Sequence, residues 1–258
     1  MFSEKNMSQF PALYHAHHSH HQEDLPFWLA LADSASKSHR IPILELGCGT
    51  GRVLLPLAKA GHTVFGLDND RAMLRFLSAR LTPDEQRMIH LVQADMTQFH
   101  LEIQFGLILL PCNTLSTLSR TALWRLFARV SHHLSPGGIF AASLPNPQLL
   151  LHLPKKSEAE FEEAFPHPLD GGPVQVSSAW QRAQQIFSVI WYYDHLLPDG
   201  RSEHLEAVVQ HQIEPVQFYL HGLKEVGLDS LQLFGDFDRR PYRRASSSLI
   251  IIAMKPIS

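Results

Sequence analysis

An apolar run, Ile43-Leu44, delivers an acid, Glu45, and then a turn with glycine on alternate positions, Gly47-Cys48-Gly49-Thr50-Gly51-Arg52. A helix-like segment from Val53 to Ala60 follows at once. Glycine is required where a backbone takes positive φ or comes into contact with a ligand. A strand, a glycine-rich turn and a helix start together present N–H groups beside a bound molecule. A second apolar run, Thr63-Val64-Phe65-Gly66-Leu67, ends in Asp68, an acid well placed to accept hydrogen bonds from ribose hydroxyls. The outline is a nucleotide-type site at the mouth of a parallel sheet.

The spacing of the glycines narrows the ligand. A dinucleotide fingerprint reads G-x-G-x-x-G, whereas Gly47, Gly49 and Gly51 read G-x-G-x-G with Glu45 two residues ahead. A carboxylate there would repel a pyrophosphate and suits a cationic ligand, which argues against a nicotinamide dehydrogenase. S-adenosylmethionine carries a sulfonium and an ammonium group and no phosphate.

With these residues the segment resembles motif I of the class I S-adenosylmethionine-dependent methyltransferases. Gly66-Leu67-Asp68-Asn69-Asp70 with Ala72-Met73-Leu74 resembles the next element of that family, and Ala94-Asp95-Met96 the third. Phe105 to Leu115, containing Pro111-Cys112-Asn113-Thr114, resembles the fourth, and Ser135-Pro136-Gly137-Gly138 the turn before the fifth strand. The matches keep their order over residues 43 to 144. The resemblance implies an α/β fold: a doubly wound, seven-stranded Rossmann-like sheet whose last strand runs antiparallel between strands five and six. It also implies that Glu45 holds the methionine ammonium and that the Gly47–Gly51 backbone, with Cys48 and Arg52, runs past the methionine portion. Asp68 would accept from the ribose and Asp95 from the adenine amino group, with the Met96 N–H on a ring nitrogen. Asn69 and Met73 would pack on the adenosine, and Pro111 would border the transfer site. S-adenosyl-L-methionine would be the cofactor and S-adenosyl-L-homocysteine the product.

Methyl transfer from a sulfonium is an in-line displacement on an activated carbon, so alignment and exclusion of water dominate; orientation alone can supply about 7–11 kcal/mol of barrier. Consistent with this, no triad is visible. The fourth motif departs from the (N/D)-P-P-(Y/F/W) of DNA N-methylating enzymes. Asn113 is a candidate to orient an acceptor, with an Asx-type cap as the alternative. Tyr14 is the N-terminal candidate, because related small-molecule N-methyltransferases close over the sulfonium with such a tyrosine.

The 258 residues, 45% hydrophobic and 18% charged, suit one large α/β domain with a well-buried core. A net charge of -3 implies no broad basic face and weighs against a nucleic-acid substrate gripped through phosphates. The run Arg239-Arg240-Pro241-Tyr242-Arg243-Arg244 reads as a solvated loop before the last strand. Two cysteines, Cys48 and Cys112, make no disulfide framework and read as small buried side chains lining a pocket. With no signal peptide and no bilayer-length apolar run, the expectation is a soluble cytoplasmic protein with no membrane partner. Its oligomeric state is open, a homo-oligomer included.

Four parts follow along the chain: residues 1–40 as an N-terminal lid and helix, 41–144 as the cofactor-binding core, 145–213 as an insertion, and 214–258 as the rest of the core sheet. Asp24 reads as an N-cap for a helix through Phe27, Leu29 and Leu31. The insertion holds an acidic segment, Glu158 to Phe165, and three strand-like runs near 174–180, 185–194 and 204–213, with Pro198-Asp199-Gly200 as a hairpin turn. It is expected to form a small antiparallel lid after strand five. There Trp191 and Tyr193 share one face and Tyr192 takes the other; Trp180 and Phe187 add to the aromatic content. His15, His17, His18, His20 and His21 lack Cys or carboxylate companions at fixed spacing, so they read as a flexible, solvated lid, and no metal ligand is assigned. The function expected is methylation of a small-molecule amine, hydroxyl or activated carbon, with a layout resembling glycine, sarcosine and amino-sugar N-methyltransferases. A catalytically idle cofactor-binding subunit is the alternative, and an RNA methyltransferase is disfavoured by charge.

Overall fold

The computed structural model describes residues 4–36 and 41–257. Two helices, α1 (Glu4–His18) and α2 (Leu25–Ser36), precede the sheet. Then β1 (Ile43–Leu46), α3 (Leu54–Lys59), β2 (Val64–Asp68), α4 (Arg71–Ser78), α5 (Pro83–Met88), β3 (Ile89–Gln93) and β4 (Phe105–Leu110) alternate. A short 3-10 turn, Thr114–Thr117, leads to α6 (Arg120–His133), β5 (Leu134–Pro145) and α7 (Pro147–His152). Strands β6 (Glu160–Pro166), β7 (Pro173–Ala183), β8 (Ile186–Leu196) and β9 (Ser202–Gln212) follow, and α8 (Val216–Glu225), β10 (Asp229–Phe234) and β11 (Ser248–Met254) complete the chain.

The main sheet runs β10-β11-β5-β4-β1-β2-β3, with β11 antiparallel to both neighbours and the other pairs parallel. Its central strands are apolar on both faces, as a sheet covered by helices on each side requires. Alternation along each strand divides the core in two. Leu44, Leu46, Ile108, Leu110, Phe140 and Ile251 face α6 and α8, where Leu126, Phe127, Tyr219 and Leu223 close the layer. Ile43, Leu107, Leu109, Ala141 and Ile250 face α2, α3 and α4, meeting Trp28, Leu54, Leu57 and Leu77. The chain winds outward from β1 to β3 and restarts at β4 on the other side of β1. Ligands of such sheets bind where the strand order reverses, beyond the carboxyl ends.

Strands β6 to β9 form a separate antiparallel sheet in sequential order. The β8–β9 connection is the expected hairpin: Leu197 N–H donates to Arg201 O, and Gly200 takes a φ of +84°. The acidic segment supplies the edge strand β6, which its charge pattern alone did not reveal. Two small clusters fix this lid. Leu13 of α1 packs on Val174, Val176, Tyr193 and Leu205, and Leu150 of α7 packs with Phe187 and Ile213.

The N-terminal expectation needs correction. Three of the five histidines do not lie on a flexible, solvated segment: His15, His17 and His18 belong to α1 and His17 is 1% exposed beneath the lid, whereas His20 and His21 are exposed beyond the helix. A sequence read without the lid in place offers no partner for His17, so its burial was hidden. Asp24 does precede α2, but its carboxylate is turned to Arg52 and Trp28 rather than capping. The boundary placed at residue 40 falls within 37–40, outside the described residues. No helix among the described residues is long and apolar enough to cross a membrane.

Candidate active site

The turn after β1 is built for close approach. Gly47, Gly49 and Gly51 have φ of +67°, +52° and +87°, the left-handed region that side chains disfavour. Gly47 and Cys48 both donate N–H to Leu67 O, at 2.7 and 3.1 Å, tying the turn to the end of β2. At Gly51 an added Cβ would lie 2.7 Å from Leu77 Cδ1, so α4 packs directly on the turn.

Asp68 locks the same region. Its Oδ2 accepts from Gly49 N–H at 2.7 Å and its Oδ1 from Asp70 N–H at 2.8 Å. Burial raises its pKa, and those two amide bonds oppose the rise. An ionised carboxylate has about four acceptor sites, so each oxygen keeps a lone pair for a ligand. Asp95, at the turn after β3, is exposed; it accepts from Thr97 N–H and Gln98 Nε2, each at 2.8 Å. The amide bond from Thr97 holds its carboxyl below the ordinary range. Asp68, Asn69, Met73, Asp95 and Met96 line one cavity of about 330 Å³ with Gly47, Gly49 and Tyr14.

Glu45 lies beneath the turn, 2% exposed, and its Oε2 has no hydrogen-bond partner. Burial raises its pKa well above the ordinary carboxylate value, against the opposing charge of Arg52. A buried acid with an unmet acceptor suits a cationic group such as an ammonium.

A second cavity, of about 360 Å³, lies between α1, the lid and the loop after β4. Tyr14 lines both cavities and is their common wall. Trp191 and Tyr193 are the face of β8 turned inward, while Tyr192 stacks on His204 outside, with ring centroids 5.7 Å apart. Cys112 and Asn113 have φ of 60° and 63°, two successive non-glycine residues in the left-handed region. Each such conformation costs on the order of 1–3 kcal/mol and is held by its surroundings. Here Ser116 Oγ bonds Asn113 O and also His211 Nδ1 of β9, at 2.8 and 2.9 Å. Asn113 makes no capping bond with its side chain, which lines the cavity.

Two expectations shift. Cys112 is not buried but open to this second cavity, 3.0 Å from an Arg52 nitrogen. Arg52 lines the second cavity and not the first: its guanidinium grips Asp24 through two bonds of 2.5 and 2.7 Å. Cys48 is buried behind the glycine turn, and Pro111 is buried at the end of β4. Sequence reading missed Asp24 and His211 as pocket residues and did not single out His18 from His17 as a possible base. His18 had only its place four residues after Tyr14, the spacing of one helix face, as a signal; His211 had none.

The sheet order, the left-handed glycine turn and the acids closing the second and third strands define the class I methyltransferase architecture. Comparisons agree. Residues 43–138 match a family described as a methyltransferase domain. A trans-aconitate 2-methyltransferase of Acidovorax sp. (strain JS42) is 28% identical over 226 residues, 84% of this chain and 79% of that protein. An S-adenosylmethionine-dependent methyltransferase from Clostridium acetobutylicum ATCC 824 has a TM-score of 0.78 at 14% identity, covering 96% of this chain and 99% of that one. The sugar N-methyltransferase KedS8 from Streptoalloteichus sp ATCC 53650 gives 0.74 at 17% identity, covering 96% and 92%. Residues 43–138 are thus a methyltransferase domain, and the chain is an S-adenosylmethionine-dependent methyltransferase with the class I fold.

If Glu45 meets the ammonium of the cofactor, as its unpartnered oxygen suits, cofactor binding is proton-linked. Its raised pKa means that the ligand-free protein holds a proton the unfolded chain would lose, so this group's contribution to stability falls as pH rises above 4.5. A bound ammonium reverses the preference. Binding of S-adenosylhomocysteine is expected to release a proton and to tighten as pH rises. Titration calorimetry in two buffers of different ionisation enthalpy reads this directly. Equal apparent enthalpies in both, or proton release that survives Glu45→Gln, would contradict it.

Proposed function

We propose that the chain methylates an uncharged amine or hydroxyl of a small molecule held in the second cavity, across Tyr14 from the donor. Glu45, the Gly47–Gly51 turn, Asp68, Asn69, Met73, Asp95 and Met96 would hold S-adenosylmethionine, which supplies an activated methyl group when bound. The chain's own part is alignment and exclusion of water.

The observation that carries the reading is the charge of the second cavity. Arg52 is the only Lys or Arg among the described residues lining it, and Asp24 already neutralises that charge. Glu23 adds a second acid, and the remaining polar groups there include neutral ones. Burial lowers His18 to about 3 and His211 to about 4, and raises Tyr14 above the ordinary phenol range. Such walls accept a neutral nucleophile and leave its lone pair free. These side chains themselves offer no spare cation for a polyanionic acid of the kind named for the Acidovorax relative. Trp191 and Tyr193 give an apolar roof, the usual lining of a small-molecule site.

A screen of amines, phenols and carboxylates, read by release of S-adenosylhomocysteine, is expected to give turnover with the first two classes. Turnover on trans-aconitate or on RNA, with none on neutral amines or hydroxyls, would overturn the reading. With an active acceptor in hand, Tyr14→Phe should lower kcat more than it weakens cofactor binding, because the hydroxyl stands at the shared wall. An unchanged kcat would remove Tyr14 from the transfer site.

A further inference from the structure

The donor and acceptor sites leave His17 and His20, near the end of α1, unused, and here the lid supplies carboxylates. His17 Nε2 stands 3.5 Å from Glu163 Oε1 and 3.6 Å from Glu162 Oε2, both on β6. These gaps are too long for good hydrogen bonds, and Glu163 Oε1 is buried with no hydrogen-bond partner. The other oxygen of Glu163 is held by His20 Nε2 at 2.9 Å, and the other nitrogen of His17 by the Tyr193 hydroxyl at 2.8 Å. Both potential ligands are therefore oriented from behind, as metal-binding imidazoles and carboxylates usually are. Ligand atoms of His17, His18 and His21 lie within 4.8 Å of one another, as do those of His20, His21 and Glu163.

Two atoms bound to one tetrahedral zinc, each at about 2.0–2.2 Å, stand roughly 3.3–3.6 Å apart. The separation of His17 from Glu163 has that value. Other histidine clusters lack this signature. At His167 and His195 a single oxygen of Asp170 already meets both rings at 3.1 Å, and both nitrogens of His133 are engaged by backbone.

We propose that His17 and Glu163 bind a divalent transition metal of the zinc class, with His21, which shares a triad within 4.8 Å with each of them, as the third ligand and water completing the shell. The ion would pin the end of α1 to β6. Tyr14 lies one turn back on the same helix, so the ion would also fix the wall between the two cavities.

The test uses the full chain without an affinity tag, stripped with a chelator and titrated with zinc chloride against a chromophoric competitor. One zinc per chain is expected. The apparent Kd should rise at least tenfold in His21→Ala and in Glu163→Gln, and S-adenosylhomocysteine binding within twofold of the parent would establish that both variants are folded. Zinc should also slow proteolysis between residues 19 and 24 in the parent and not in Glu163→Gln. Absence of a stoichiometric site would overturn the proposal. So would zinc binding that survives Glu163→Gln, which would mark the histidines as acting without the lid.

Discussion

Asp68→Ala is expected to cost at least 100-fold in affinity for both S-adenosylmethionine and S-adenosylhomocysteine. The carboxylate holds the turn through Gly49 N–H and steadies the start of α4 through Asp70 N–H. A hydrogen bond to a charged group contributes about 1.5–3 kcal/mol, and tenfold in affinity is about 1.4 kcal/mol. In the proposed binding mode Asp68 accepts from both ribose hydroxyls, and the loss of two such bonds, about 3–6 kcal/mol, exceeds the roughly 2.8 kcal/mol of a 100-fold change. Asp68→Asn keeps one acceptor oxygen and should fall between the two. Calorimetric titration of the three proteins measures the series; an Ala variant within tenfold of the parent would show that the glycine turn is held without this acid.

The second large effect concerns Arg52 and Asp24. Asp24 is 8% exposed and takes both guanidinium bonds along with Trp28 Nε1–H at 2.8 Å. Removing one partner of a buried pair leaves an uncompensated charge and costs about 3–5 kcal/mol. For a chain of this size about 3 kcal/mol lowers Tm by roughly 6–12 °C. Arg52→Met should show that loss in thermal unfolding. Arg52→Met combined with Asp24→Asn should recover part of it, because the stranded charge is then absent. A strictly additive double variant would mean that the two side chains do not act as a pair.

The proposed donor half was legible because its chemistry is written locally. Gly47, Gly49, Gly51, Asp68 and Asp95 sit at strand ends, where spacing along the chain and position in space nearly coincide. The proposed acceptor half was not. Its wall joins Tyr14 and His18 of α1, Arg52 after β1, Cys112 after β4, and Trp191 and His211 of the lid. No periodicity connects residues so far apart. Alternation along β8 did pair Trp191 with Tyr193, but only the packing of Leu13 on the lid decided which face turned inward. Cys112 illustrates the limit from the other side. Its place beside the fourth motif suggested burial, yet a positive φ at two successive residues turns it toward the cavity.

The two cavities are assembled from separate stretches of chain, and among the described residues Tyr14 is the one lining both. Replacements on the inner face of β8 and β9 therefore leave the donor chamber's hydrogen bonds untouched. Such a layout lets acceptor choice drift by ordinary surface-like substitution while methyl donation is inherited intact. One helical turn around Tyr14 is the place where the two histories must remain compatible.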